Sequence, residues 1–142
     1  MKYRYTCAVF VRQNKKLLMI RHRKLNRWLP PGGVIEDFER PDEAAIREVR
    51  EELGIDIKLI GEKSANIPDV EIIHQPIHIQ VEQNPHGNNN IDFIYYAEPI
   101  QEKPIISCDF KEILEYSWFN RDMIKTIPEQ EIQINALKAL DF

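Results

Sequence analysis

Apolar and polar positions change their period several times along the chain, and each change predicts an element. Near the start, YTCAVFV and KLLMIRHR are continuous β-branched, aromatic and aliphatic runs, which predict two strands on either side of the polar turn RQNKK. Three shorter runs, IDIKLI, IDFIYYAE and EYSWF, predict further strands. EIIHQPIHIQVEQ predicts a longer strand that Pro76 interrupts, which places it at a sheet edge or at a bulge.

Helical periodicity occurs in three segments. In PDEAAIREVREEL, Pro41 suits the first helical position and Gly54 suits the residue that ends a helix. RDMIKTI and PEQEIQINALKAL predict two more helices near the end of the chain, and LNRWLPPGG predicts a loop. Strands with a few interspersed helices predict a mixed α/β or α+β sandwich. No repeat or linker divides the sequence, so we expect residues 1–142 to form one domain.

Composition and charge narrow the classes of function. The chain has 142 residues and a net charge of −4, with Lys and Arg scattered, which argues against a general nucleic-acid-binding surface but leaves room for a small anionic ligand. There is no secretory signal and no run of about twenty apolar residues, so a membrane span is not expected and a cytoplasmic location is the default. Cys7 and Cys108 lie far apart without metal-type spacing, and we expect two buried thiols more than a bridge.

The predicted helix at 41–53 crowds three carboxylates onto one side. At about 100° per residue, Glu48, Glu51 and Glu52 fall within an arc of about 100°, next to an apolar stripe that would dock on a sheet. Such carboxylates either take up protons or hold a cation, and oxygen ligands select Mg²⁺ or Mn²⁺. The alternative is a solvated charged face with ion pairs between neighbours such as Arg47 and Glu51. The Pro-Pro-Gly-Gly loop upstream favours the cation, because it brings bare backbone near the same helix.

These residues resemble the Nudix box, a family motif of fixed spacing. The pattern is G, five residues, E, seven residues, R-E, an aliphatic, any residue, E-E, any residue, G and an aliphatic, and it is filled here without a gap across residues 33–55. The matching residues are Gly33, Glu39, Arg47, Glu48, Val49, Glu51, Glu52, Gly54 and Ile55. WLPPGG before the box and LLMIR further upstream also resemble the family, so we expect the likeness to cover the whole chain.

The resemblance implies a fold, a reaction and a set of roles. The implied fold is an α/β/α sandwich with a mixed β-sheet and the box helix packed on it. The implied reaction is hydrolysis of a nucleoside diphosphate linked to another moiety, in which water attacks phosphorus and splits the pyrophosphate. By resemblance, Glu48, Glu51, Glu52 and the Gly32 carbonyl would hold Mg²⁺ or Mn²⁺. Arg47 and Glu39 would support the carboxylates, and Gly33 and Gly54 would be structural positions of the box.

Outside the box, the family pattern leaves two points open. Many members add a later Glu from a loop near a Trp, as metal ligand or general base; by its spacing from Trp118, Glu112 is the first choice and Glu115 the alternative. A box Glu could also be the base. Phe38 stands where the family commonly has Gly, and it could reshape the loop or cover the mouth of the pocket.

Three further residues are candidates for substrate binding. Arg21 and Arg23 are two apart on a predicted strand, so both would point to one face and could fork onto phosphate oxygens, or be ordinary surface charge. Trp28 could stack on a base or pack the loop before the glycines, and packing is slightly favoured.

The sequence does not select the substrate. A nucleoside triphosphate, an oxidised nucleotide and a nucleotide sugar all remain open, and we expect a small-molecule nucleotide substrate. The alternative to an enzyme is a non-catalytic sensor of the same fold that binds a nucleotide and regulates a partner; the intact carboxylate set favours the enzyme. A homodimer is a further option, since the broken strand EIIHQPIHIQVEQ could pair with a second copy.

Overall fold

The computed structural model describes residues 2–142, and their backbone forms strands and helices in a mixed order. The strands are β1 (Tyr3–Gln13), β2 (Lys16–His22), β3 (Trp28–Leu29), β4 (Gly32–Val34), β5 (Ile57–Ile60), β6 (His78–Glu82), β7 (Asn89–Pro99) and β8 (Ile113–Phe119). The helices are α1 (Pro41–Leu53), α2 (Arg121–Ile124) and α3 (Gln130–Asp141).

The strands form one mixed sheet built around β1 and β7. The hydrogen-bonded order is β3-β2-β1-β7-β5, with β4 beside β1, β6 beside β7 and β8 beside β2. β1 and β7 run parallel, in a register that places Val9 opposite Tyr95, whereas the other pairs are antiparallel. A parallel pair needs a crossover connection, and α1 lies in the segment that supplies it.

The sheet is buried on both faces, which explains why its central strands are apolar without alternation. In β1, Val9 and Val11 face a cluster that includes the apolar side of α1, while Phe10 faces a second cluster formed with α3. Neighbouring residues of β2 divide in the same way, because side chains alternate between faces along a strand: Leu18 packs on the α1 side and Leu17 on the α3 side.

Helices on both faces make this an α/β/α sandwich with the box helix packed on a mixed sheet, and the predicted fold class is confirmed. The apolar stripe of α1, which includes Ala45, Val49 and Leu53, is fully buried against the sheet. α3 covers the opposite face. Among residues 2–142, no helix combines the length and apolarity that a membrane span requires.

Some predicted boundaries were wrong. The loop predicted from LNRWLPPGG contains β3 and the start of β4, because Leu29 pairs with Ile20 of β2 and Gly32 pairs with Ala8 of β1. The long strand predicted over EIIHQPIHIQVEQ is reduced to β6, and Pro76 lies outside it in the preceding loop. RDMIKTI forms only a single helical turn, α2, which Asn120 caps by accepting a hydrogen bond from the Met123 N–H at 2.9 Å.

Both cysteines are free thiols. Cys7 is buried, as expected, and its burial raises the pKa of the thiol to about 12, so it stays protonated. Cys108 is half-buried, which is more exposed than predicted.

Candidate active site

The carboxylates of the box lie along one edge of α1 and differ in how deeply they are buried. The helix begins where the Arg40 N–H donates to Glu43 Oε1 at 3.0 Å, and it ends at Gly54, whose φ of 67° lies in the left-handed region. Both ends agree with the prediction. Because the helix is docked through its apolar stripe, Glu52 is only 2% exposed, whereas the side chain of Glu51 is 58% exposed.

Arg47 links three of the acidic side chains. Its guanidinium grips Glu39 through two hydrogen bonds, Nε to Oε2 at 2.6 Å and Nη2 to Oε1 at 2.9 Å. Nη1 donates to Glu48 and to Glu51, each at 3.0 Å. Nη2 also donates to the carbonyl of Val34 at 3.1 Å. The planar fork therefore ties the helix to the loop before it, and the same contacts keep the pKa of Glu39 below its usual range.

Glu52 is held against the backbone of the glycine loop. Its Oε1 accepts a hydrogen bond from the Gly32 N–H at 2.8 Å. Burial raises the pKa of Glu52 to about 8, because the charged form loses its solvation, while the Gly32 hydrogen bond acts in the opposite direction. Repulsion from Glu48, Glu112 and Glu51 adds to the increase. A bound cation would relieve both the burial penalty and this repulsion.

The loop backbone also approaches Glu48 closely. A Cβ atom built on Gly33 would lie 2.5 Å from Glu48 Oε1, so a side chain here would push the Glu48 carboxylate out of its present position. Burial raises the pKa of Glu48, although its contacts with Arg47 lower it. The two glycines of the loop thus serve different carboxylates, one by a hydrogen bond and the other by the absence of a side chain.

A second segment, residues 109–113, closes the site from the other side. The Asp109 N–H donates to the Glu52 carbonyl at 2.9 Å, and the Arg23 N–H donates to the Glu112 carbonyl at 2.9 Å. Glu112 lies close enough to raise the pKa of both Glu48 and Glu52 by repulsion. Glu112 therefore lies with the box carboxylates, whereas Glu115 lies on β8 with its Oε2 at 3.7 Å from Arg21 Nη1.

These elements enclose a cavity of about 610 Å³, which we call the carboxylate cavity. Glu48, Glu51, Glu52 and Glu112 line it. Its basic residues are His22, Arg23, Lys24, Arg47 and Lys111. Lys111 was missed by sequence reasoning, because a lone lysine in a loop has no periodicity that would indicate its direction.

Arg21 and Arg23 lie in different surroundings, contrary to the expectation that residues two apart on a strand share one face. The β2–β8 register shifts between Arg21 and His22, and β2 ends at His22. Arg21 donates to Asn26 Oδ1 at 2.7 Å through Nη2, whereas Arg23 lines the carboxylate cavity. Trp28 does not line that cavity; its ring centroid lies 4.9 Å from that of Phe119, within the cluster under α3.

Phe38 has the backbone conformation that explains why glycine is common there. Its φ is 64°, in the left-handed region, and its side chain is fully exposed. It does not line the carboxylate cavity. The phenylalanine therefore strains the loop without covering the pocket.

The carboxylate cavity has the donor chemistry of a hard-cation site but is not arranged around an ion. In residues 2–142, no three His, Cys, Asp or Glu side chains converge as a metal-binding group. Glu48 and Glu51 are bonded to Arg47 instead. The oxygen-only set fits Mg²⁺ or Mn²⁺. Arg47 contacts only Oε1 of Glu48 and Oε2 of Glu51, so the other oxygen of each carboxylate could bind a cation while Arg47 stays in place.

Comparisons with known proteins find similar sequences and a similar fold. The NUDIX domain family model matches residues 2–140. Diphosphoinositol polyphosphate phosphohydrolase 3-alpha of Mus musculus is 45% identical over 60 residues, which are 41% of this chain and 37% of that protein. The 8-oxo-dGTP diphosphatase of Proteus vulgaris is 42% identical over 48 residues, 32% of this chain and 43% of that protein. The chain thus matches well under two thirds of the length of these curated relatives.

A solved structure extends the likeness over the whole fold. The crystal structure of a hydrolase of the NUDIX family from Clostridium perfringens superimposes with a TM-score of 0.84 and 28% identity, covering 99% of this chain and 98% of that one. The family model covers nearly every residue, and the fold agrees over the same length. The chain therefore belongs to the NUDIX family.

Proposed function

We propose that this chain is a Mg²⁺-dependent hydrolase that cleaves the pyrophosphate bond of a nucleoside diphosphate linked to another moiety, by attack of water on phosphorus. The substrate would be a nucleoside triphosphate, an oxidised nucleotide or a nucleotide sugar. The observation that supports this most is the meeting of Glu48, Glu51, Glu52 and Glu112 around one cavity beside the backbone of Gly32.

The cation would be held by Glu48, Glu51 and Glu52, with the Gly32 carbonyl and Glu112 as further candidate ligands. When bound, it supplies charge neutralisation on phosphate oxygens and makes water a better nucleophile near neutral pH. The donor set is made of oxygen atoms alone, which favours Mg²⁺ or Mn²⁺ over softer metals.

The other residues of the cavity would bind and orient the substrate. Arg23, Lys24 and Lys111 line the same cavity and carry the positive charge that phosphate oxygens need. The Gly32 N–H fixes the orientation of the Glu52 carboxylate at 2.8 Å. Glu112 is the candidate that accepts the proton of the attacking water, because it lines the cavity and Glu115 does not.

The names of the relatives support a phosphorylated substrate without selecting it. One is named for 8-oxo-dGTP and the other for diphosphoinositol polyphosphate. These are different ring systems, so the common part is the chain of linked phosphates.

The test is a panel of nucleotides and nucleotide sugars incubated with the purified protein and Mg²⁺, with release of phosphate or pyrophosphate measured. We expect at least one compound to be hydrolysed, and Glu52→Gln to lower kcat by about a hundredfold or more, because the amide keeps the shape of the side chain but cannot ionise to hold a cation. Glu112→Gln should also lower kcat, and Glu115→Gln, the matched control, should not.

Three results would contradict parts of the proposal. If Glu52→Gln kept the parental activity on every hydrolysed compound, the assignment of Glu52 to the active site would be wrong. Binding of a panel member without hydrolysis, in the presence of Mg²⁺ or Mn²⁺, would instead support the non-catalytic sensor. If Glu115→Gln lowered kcat and Glu112→Gln did not, the role of the later Glu would belong to Glu115 on β8.

A further inference from the structure

β6 forms an edge of the sheet, and its outer side pairs with no strand in residues 2–142. It pairs with β7 alone, in an antiparallel register that places Gln80 opposite Asp92. An unpaired edge offers backbone N–H and C=O groups to another strand, and many proteins protect such edges with Lys or Pro. The sequence of β6, HIQVE, contains neither. The edge is therefore open to pairing with a further strand.

The two aliphatic side chains of β6 are more than half exposed. Ile79 and Val81 are each 53% exposed, and they share one face of the sheet because side chains alternate along a strand. Their cross-strand neighbours on β7 are Phe93 and Ile91. Tyr5 of β1, which is also exposed, lies opposite Ile91, and its ring centroid lies 6.5 Å from that of Phe93. These five residues form an apolar strip that ends at the open edge of β6.

The other face of β6 is polar and has opposite chemistry at its two ends. His78 is exposed at the start of the strand, and Glu82 is partly buried at its end. Between them, Gln80 Nε2 donates to Glu131 Oε2 at 2.8 Å, which ties this face to the first turn of α3. A strand with a histidine at one end and a carboxylate at the other is complementary to itself when two copies run antiparallel.

A two-fold axis through Gln80 would pair every residue of β6 with a residue of a second copy. Ile79 then lies opposite the second copy's Val81, and His78 lies opposite its Glu82. The first pair continues the apolar strip from one sheet into the other, and in the second pair the imidazole N–H can donate to the carboxylate. An axis through Ile79 or Val81 breaks the histidine–glutamate pairs, and an axis through Glu82 places two carboxylates opposite each other.

We propose that β6 is a dimerisation edge, at which a second copy of this chain adds antiparallel about Gln80 and joins the two sheets into one. The two-fold arrangement uses both open edges and leaves none for further growth. The five residues of β6 span about 17 Å at about 3.4 Å per residue. Such a short interface is small, so we expect a dissociation constant on the order of 10⁻⁵ M. This inference goes beyond the proposed function and does not depend on it.

Analytical ultracentrifugation of the purified chain, from about 1 µM to about 500 µM, tests the proposal. The variants are Ile79→Glu and Val81→Lys, and Ile105→Glu is the matched control because Ile105 is also exposed but lies outside the strands. Since all three side chains are exposed, we expect each variant to keep the parental circular dichroism spectrum and urea midpoint.

We expect the parent to dimerise, and Ile79→Glu and Val81→Lys each to weaken the dimer at least about tenfold, because the change occurs twice in a two-fold interface and places a charge against an apolar side chain. Ile105→Glu should dimerise like the parent. An equimolar mixture of Ile79→Glu and Val81→Lys should form a heterodimer at least about tenfold more tightly than either variant binds itself. In the proposed register, the introduced carboxylate lies opposite the introduced ammonium group.

Three outcomes would overturn the inference. The first is a parent that stays monomeric at every concentration. The second is a parent dimer that Ile79→Glu does not weaken, or that Ile105→Glu weakens equally, since the interface would then lie elsewhere. The third is a mixture that associates no better than its two components, because residues 79 and 81 of the two copies would then not be opposite each other.

Discussion

At the scale of single residues, Phe38 is the clearest departure from the family pattern. Its left-handed backbone costs about 1–2 kcal/mol for a residue with a Cβ, and its fully exposed ring packs against nothing that would repay this cost. Phe38→Gly removes the strain but adds about 0.5–1 kcal/mol of backbone entropy to the unfolded chain. We therefore expect a net stabilisation of about 0.5–1 kcal/mol in urea unfolding.

The matched control for Phe38 is Phe110, which is also exposed but is absent from the residues of positive φ. Phe110→Gly gains no relief of strain and should be neutral or destabilising. If both glycine variants shifted the unfolding midpoint equally, loss of an exposed ring, and not backbone strain, would explain the change.

The sequence predicted some residues of the candidate site better than others for a physical reason. Glu48, Glu51 and Glu52 are on one helix, so a period of 3.6 residues determines their common face. Lys111 and Glu112 reach the cavity because the loop 109–113 is bonded to the Glu52 carbonyl at the end of α1 and to the Arg23 N–H. No local pattern encodes that contact, so spacing suggested Glu112 and missed Lys111.

At the scale of elements, Arg47 couples α1 to the glycine loop. Lysine keeps the positive charge but lacks the planar fork that holds Glu39 with two hydrogen bonds while Nη1 contacts Glu48 and Glu51. We expect Arg47→Lys to lower kcat about a hundredfold, about 2.7 kcal/mol of barrier, because misplaced carboxylates lose the reactive geometry. Steady-state kinetics on any hydrolysed substrate would measure this.

Arg50 provides the control for that experiment on the same helix. Its Nε donates to Asp56 Oδ1 at 2.7 Å on the exposed side, away from the carboxylate cavity. Arg50→Lys should retain the parental kcat. Parental activity in Arg47→Lys would mean that charge alone, without the fork, maintains the site.

At this scale, the elements that could not be predicted from the sequence are those that depend on strand pairing. α1 was predicted with both ends correct because Pro41 and Gly54 are local signals. β3 and β4 were missed because they are short and exist only through pairing with β2 and β1. Strands that depend on distant partners leave little periodicity in their own residues, and this loop is also where the glycines meet the carboxylates.

At the scale of the whole molecule, the fold gathers carboxyl groups from separate elements into one buried region. Asp92 of β7 faces Glu82 of β6 and Glu131 of the N-terminal turn of α3, and it accepts a hydrogen bond from Thr6 of β1. Burial is the main cause that raises the pKa of Asp92 from 3.8 to about 7, and repulsion from Glu82 adds to it. This arrangement makes the stability of the protein depend on pH.

The sign of that dependence follows from proton binding. Because the folded state holds the Asp92 proton more tightly than the unfolded state, its contribution to stability is complete below pH 3.8 and is lost as pH rises through about 7. Because asparagine cannot ionise, the free energy of unfolding of Asp92→Asn should fall less than that of the parent between pH 4 and pH 8. The expected difference is a few kcal/mol, since each unit of pKa shift corresponds to about 1.4 kcal/mol. Urea unfolding across this range measures the difference, in which groups common to both proteins cancel.

The control is the exposed Asp69, and Asp69→Asn should follow the parent. Parallel curves for the parent and Asp92→Asn would show that this carboxyl group carries no such linkage.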